Sequence, residues 1–166
     1  VVVASNGGSV LFYVREQDPS IADRLGTWLI GQQWCGPVVA SKATGGISGT
    51  VAASAIGVEG ERAPDLAMSF AWDSKPNGRG YDGHTFNSLV APGLGIHGSM
   101  SSHEMRCVMM ARGPSFKRGL AIDTPTGNVD LAPTILKVLG LRGGDGMDGR
   151  VLEEALADGP HPDSIP

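Results

Sequence analysis

The sequence predicts an α/β fold, and three observations carry that expectation. Short β-branched and aromatic runs are interspersed with segments of helical periodicity. No internal repeat is evident, and such a mixture of strands and helices favours α/β. The hydrophobic fraction, 41% of 166 residues, suffices for a core in one domain or a piece of one.

Val1 to Ala4 and Val10 to Val14 read as strands joined across Asn6-Gly7-Gly8, a hairpin signal. Ile21, Leu25, Trp28 and Leu29 follow helical spacing, and Asp18-Pro19 supplies the start. Cys35 to Ala40 is a short strand, with Pro37 pointing to an edge position. The Gly-rich stretch 41–63 reads as a mobile loop or an irregular surface segment. Leu66 to Trp72 is a strand, residues 73–99 a long functional loop, and Met105 to Ala111 a buried strand. The clearest helix covers Val129 to Leu139. Pro133 is tolerated only in its first turn, which makes Asp130 the N-cap. Leu131, Ile135, Val138 and Leu139 form the apolar stripe, and Gly140 the stop. A second short helix is expected over Val151 to Ala157 and a frayed tail after Gly159.

Composition narrows the function classes. Thirteen Lys+Arg against 17 Asp+Glu give a net charge of −4, with no basic run, which argues against a nucleic acid polymer as partner. No run approaches the ~18 apolar residues of a spanning helix, and no signal peptide is visible, so no membrane segment is expected. Glycine, at 25 residues, implies many tight turns. Cys35 and Cys107 fit no metal spacing and read as two buried thiols. They would be bridged only if the fold brought their Cα atoms within about 7 Å. The chain opens at Val1-Val2-Val3-Ala4, already inside a strand, from which we expect a longer protein shortened upstream.

Few residues offer chemistry. His161 lies in a Pro-rich tail, His103 pairs with Glu104 on the surface, and His84 follows Asp82-Gly83 as a turn residue. His97 differs, standing in Gly93-Leu94-Gly95-Ile96-His97-Gly98-Ser99, where glycines admit close approach and an imidazole suits a metal. Gly45-Gly46-Ile47-Ser48-Gly49-Thr50 resembles a phosphate-cradling loop but lacks the Gly-Lys-Ser/Thr that follows in such loops. Asp145 and Asp148 lack calcium-loop spacing and read as a turn. No Gly-x-Ser-x-Gly elbow is present.

The block His97-Gly98-Ser99-Met100-Ser101-Ser102-His103-Glu104-Met105, with Ala111-Arg112-Gly113-Pro114-Ser115-Phe116-Lys117-Arg118-Gly119 and Pro125 through Thr134 to Leu139-Gly140, resembles a known family. It is similar to the C-terminal part of type I phosphodiesterase/nucleotide pyrophosphatase enzymes, a branch of the alkaline phosphatase superfamily. The clear match spans about residues 97 to 152, and Glu61 to Leu66 adds weaker support. The Asp130 to Thr134 motif and Met147-Asp148-Gly149-Arg150 also occur in sulfatase-like relatives and place only the superfamily.

The resemblance implies an alkaline-phosphatase-like layered sheet with flanking helices, here as a C-terminal fragment. Residues 1–159 would belong to the catalytic domain, with 41–96 as a cap or insertion and 160–166 as a flexible tail. It implies a hydrolase with two zinc ions about 4 Å apart, which activate a Thr or Ser nucleophile against a small-molecule phosphoester. His97 alone carries over, as a metal ligand. The nucleophile and the other ligands of the family precede it in the chain, and the Asp-x-x-x-His motif is absent here. This chain by itself is therefore expected to be inactive and, as a fragment, to self-associate through exposed apolar surface. The alternatives are a sulfatase, phosphonate hydrolase or phosphomutase relative, told apart by the upstream nucleophile, or a non-catalytic module that kept the fold.

Overall fold

The Asn6-Gly7-Gly8 turn folds β1 (Val2–Ser5) back on β2 (Ser9–Tyr13), Val2 opposite Tyr13 and Ser5 opposite Val10. Gly7 takes φ +71°, a region open to glycine, and the Asn6 N–H donates to the Ser9 carbonyl at 2.9 Å. The expected hairpin is formed. The computed structural model describes residues 1–88, 90–91 and 94–165. They fall into two compact units, Val1–Cys107 and the chain from Val108 onward.

In the first unit, α1 (Pro19–Ile30) starts where Asp18-Pro19 places it. The Asp18 carboxylate accepts from the Ser20 N–H at 2.8 Å and also from Ile21, and Pro19 occupies the first turn. The buried face is Ala22, Gly26 and Leu29, whereas Ile21 and Trp28 are exposed. The expected stripe is thus rotated. Gly26 lets α1 approach closely, since a Cβ there would sit 3.0 Å from Ile47 Cδ1.

Next come β3 (Cys35–Ala40), β4 (Val51–Ala52) and β5 (Leu66–Phe70), giving a five-stranded sheet in the order β1-β2-β5-β3-β4. β3 and β4 pair in parallel and the other neighbours antiparallel, so the sheet is mixed and the chain α/β in the coarse sense. β3 is not an edge strand. Its proline is accommodated because the register with β5 shifts between Cys35 and Val38, and β4 covers only Val39 and Ala40. The core is Phe12, Leu29, Val38, Leu66, Met68 and Phe70 with their neighbours. Full burial of each such side chain stabilises by about 1.5–3 kcal/mol.

The strand expected over Leu66 to Trp72 divides at Ala71. Trp72 opens β6 (Trp72–Pro76), which pairs with β7 (Asp82–Thr85) in a separate two-stranded sheet. The stretch read as a long loop therefore contains a hairpin, and His84 is a strand residue opposite Asp73 rather than a turn residue. The polar run Asp73-Ser74-Lys75, with no apolar alternation, hid the strand, because its stabilisation is pairing rather than burial.

Met105 to Ala111 forms no strand. Val108 is 85% and Met110 90% exposed, and Cys107 is exposed as well. A short apolar run reads the same whether or not a neighbouring strand exists to pair with it. Both cysteines are free thiols, and Cys35 is half-buried, so the expectation of two buried thiols fails at both positions.

In the second unit a 3-10 turn (Asn128–Asp130) leads into α2 (Leu131–Leu139), and Gly140 ends it at φ +65° as expected. Of the face inferred to be buried, Leu131, Ile135 and Leu139 are exposed and Val138 is half-buried, while Pro133 and Thr134 are buried. Only a 3-10 turn, Glu153–Ala155, forms within the second expected helix, with Leu152, Glu154 and Leu156 turned inward. No helix among the described residues is long and apolar enough to cross a membrane.

Candidate functional site

His97 lies on a strap that crosses the β1–β2 turn. The Gly8 N–H donates to the His97 carbonyl at 2.8 Å, and the Gly8 carbonyl accepts from the Phe70 N–H of β5 at 3.0 Å. A Cβ at Gly8 would fall 2.6 Å from Ser99 N, and one at Gly7 would fall 2.9 Å from the His97 carbonyl. Gly98 has φ +87°, and a Cβ there would meet the Asn6 carbonyl at 2.6 Å. Two backbones thus touch where no side chain can intervene, which accounts for glycines on both sides of the contact.

The strap is tied down beyond His97. The Met100 N–H donates to Ser69 Oγ on β5 at 2.8 Å, and Ser101, fully buried, accepts through its hydroxyl from the His103 N–H at 3.3 Å. The backbone at His97 is fixed while its imidazole stands exposed. The rings of the other three histidines are all engaged. His84 Nδ1 lies 3.0 Å from Asp73 Oδ1, His103 Nε2 3.0 Å from Ser74 Oγ, and His161 Nδ1 3.3 Å from Asp163 Oδ2. His103 therefore pairs with Ser74, not with Glu104. Gly93, the first residue of the glycine-flanked run, lies outside the described residues.

Among the described residues no three His, Cys, Asp or Glu side chains converge as a metal-binding group. A zinc centre needs four ligands, so these residues alone do not build one. His97 can offer a single nitrogen. Asp73 and His84 border a cavity of about 280 Å³ with Trp72 and Phe86. The Lys75 N–H that donates to Asp73, and after it the His84 hydrogen bond, hold the Asp73 carboxyl below its ordinary range.

The Asp130 to Thr134 motif proves to be a joint. The Asp130 carboxylate accepts from the Gly127 N–H and the Arg150 N–H, each at 2.9 Å. Thr134 Oγ1 donates to the Asp130 carbonyl at 2.7 Å and accepts from the Leu152 N–H at 3.0 Å. Arg150 clasps Glu154 with two guanidinium nitrogens, at 2.9 and 2.6 Å, and Glu154 is completely buried. Lys117 Nζ donates to the carbonyls of Glu154, Gly159 and Pro160, so the chain expected to fray after Gly159 is held there. Asp130 is thus a buried hydrogen-bond hub rather than a simple N-cap of α2. The i, i+4 spacing of Arg150 and Glu154 was the signal that could have revealed the ion pair.

Both carboxyls are held below their ordinary pKa, Glu154 by the Arg150 hydrogen bonds first and Asp130 by the Gly127 and Arg150 N–H bonds. A depressed folded-state pKa contributes stability that is complete above the unfolded value, about 4 for carboxyls, and is lost as pH falls through the folded value. The second unit should therefore lose protection at acid pH, below about pH 4. Amide exchange of α2 followed from pH 7 to pH 3 checks this, and protection independent of pH across that range would contradict it.

No family model, curated protein or solved structure matches the chain.

Proposed function

We propose that the chain is part of a metal-dependent hydrolase of phosphodiester or pyrophosphate bonds, to which it contributes His97 as a metal ligand. The fold of that enzyme would be alkaline-phosphatase-like. The observation that carries the reading is the combination at His97 of a backbone locked by glycine contacts and an imidazole left exposed. A ligand side chain needs such support, because the metal fixes its position closely. The residue resemblance over 97–152 supplies the reaction class.

In this reading the nucleophile and the remaining ligands of the two zinc ions lie outside these residues, and the chain alone neither holds the pair nor turns over substrate. Zinc, when bound, would polarise the phosphoryl group and acidify the nucleophile. This chain's own part is to present one imidazole and to frame it with β1, β2 and β5. The exposed β1 edge and the outward apolar face of α2 support self-association of the isolated chain.

The test uses the protein encoded by the whole reading frame that contains these residues. His97→Ala should lower kcat/KM for bis(p-nitrophenyl) phosphate by at least about 100-fold, since even partners of metal ligands cost 10–100-fold when removed. Absence of metal-dependent cleavage in the parent protein, or full activity in the variant, would overturn the proposal.

A further inference from the structure

The Gly-rich loop, which lacks a Gly-Lys-Ser/Thr sequence, borders an open cleft of about 460 Å³. It is built at the ends of two paired strands, Ala40–Ser41 leaving β3 and Ala52 in β4, with Lys42, Gly45, Gly46 and Ser54 on its walls. Four observations point to what it takes.

Ser41 Oγ is shut from solvent and has no hydrogen-bond partner, an uncommon state for a buried hydroxyl. Lys42 stands on the same wall, with no carboxylate within ion-pair distance among the described residues. Gly45 and Gly46 both have positive φ, +79° and +82°, and a Cβ on either would meet nothing within 4 Å. The glycines are therefore required by backbone conformation and leave the chain bare on that side. The Gly46 and Ile47 N–H groups have no acceptor among the described residues, although the neighbouring Gly45 N–H is paired with the Lys42 carbonyl.

We infer that this loop binds the phosphate group of a small ligand. Lys42 supplies charge, Ser54 supplies a hydroxyl, Ser41 supplies a second once rotation about χ1 brings its Oγ out of its closed position, and the Gly46 and Ile47 amides supply donors approached without steric cost. Such donors, together with a cation and a bare backbone, match the oxygens of a tetrahedral anion. Glu59, also on the wall, repels an anion placed beside it but accepts a hydroxyl group. The cleft is larger than a phosphate, so a phosphorylated alcohol fits as well as the free ion does. The inference needs no metal and does not depend on the role of His97.

Calorimetric titration of the chain with inorganic phosphate and with glycerol 3-phosphate, in chelator and at constant ionic strength, tests it. Saturable one-to-one binding is expected with at least one of them. Lys42→Ala should weaken it by about 10-fold or more, as expected for loss of a charge-assisted hydrogen bond. Ser41→Ala should weaken it while leaving the melting temperature unchanged or slightly higher, because the variant removes a buried hydroxyl that has no partner. Tighter binding of glycerol 3-phosphate, reduced by Glu59→Gln, identifies a phosphoester as the ligand. Equal affinity identifies the free anion. No saturable binding, or binding unchanged in the Lys42→Ala, Ser41→Ala double variant with its fold intact, overturns the inference and leaves the proposal for His97 standing.

Discussion

Arg150→Ala should destabilise the second unit by about 2–3 kcal/mol, since removing one partner of a buried ion pair strands the other charge. The usual range for such a break is higher. It is reduced here because the Arg150 side chain is 39% exposed and water can partly replace it. Glu154 cannot be rescued in the same way, being completely buried between Leu152 and Leu156 on the inward side of its turn. A unit of 59 residues has about 3–9 kcal/mol of total stability. The loss is thus a large share of the whole, and α2 amides that exchange through opening of the unit should exchange about 30- to 150-fold faster. Glu154→Gln, which keeps the shape and removes the charge, should cost less. In the double variant Arg150→Ala, Glu154→Gln the two effects should not add, because the stranded charge is gone. Unchanged exchange protection in Arg150→Ala would show that the clasp contributes nothing.

Gly8→Val should cut the proposed diester hydrolysis of the whole-frame protein by about 100-fold, the scale of a 1 Å misplacement at a reacting centre. The reasoning is steric. A Cβ at Gly8 would lie 2.6 Å from both Ser99 N and Ser99 Cβ, and Gly8 itself is pinned to β5 through Phe70. The strap must move, and His97 moves with it. Overpacking of this kind also costs about 1–3 kcal/mol of stability, so the activity is to be measured where the variant is fully folded. Gly78→Ala is the matched control, because a Cβ there meets nothing within 4 Å. Equal activity in Gly8→Val and Gly78→Ala would mean that the strap does not position the ring.

Local signals in the sequence were read correctly where local physics decides. The Asn6-Gly7-Gly8 turn, the Asp18-Pro19 helix start and the Gly140 stop all depend on backbone conformation or on a short-range hydrogen bond, and all are formed. Burial was legible less often, because it depends on what packs against an element. Ile21 and Trp28 match Leu29 in periodicity, yet only Leu29 is covered. Met105 to Ala111 matches a core strand in composition and has no strand beside it. The β6–β7 hairpin was missed for the opposite reason, since its polar residues carry no apolar alternation.

The candidate site shows the same division. The glycines around His97 signalled a close backbone approach from sequence, and the approach is there, although its partner, the Gly7-Gly8 turn some 90 residues away, could not be read in advance. The Asp130, Arg150 and Glu154 joint joins residues across a loop, so its motif was visible but its work was not.

Ligation of zinc by the His97 ring is the central proposal. The direct measurement is the zinc content of the whole-frame protein after dialysis, before and after His97→Ala, with metal counted per folded chain. Two zinc ions are expected in the parent and one in the variant, since a site deprived of one of its four ligands binds far more weakly. Two tightly held zinc ions in His97→Ala, or none in the parent protein, would contradict the proposal.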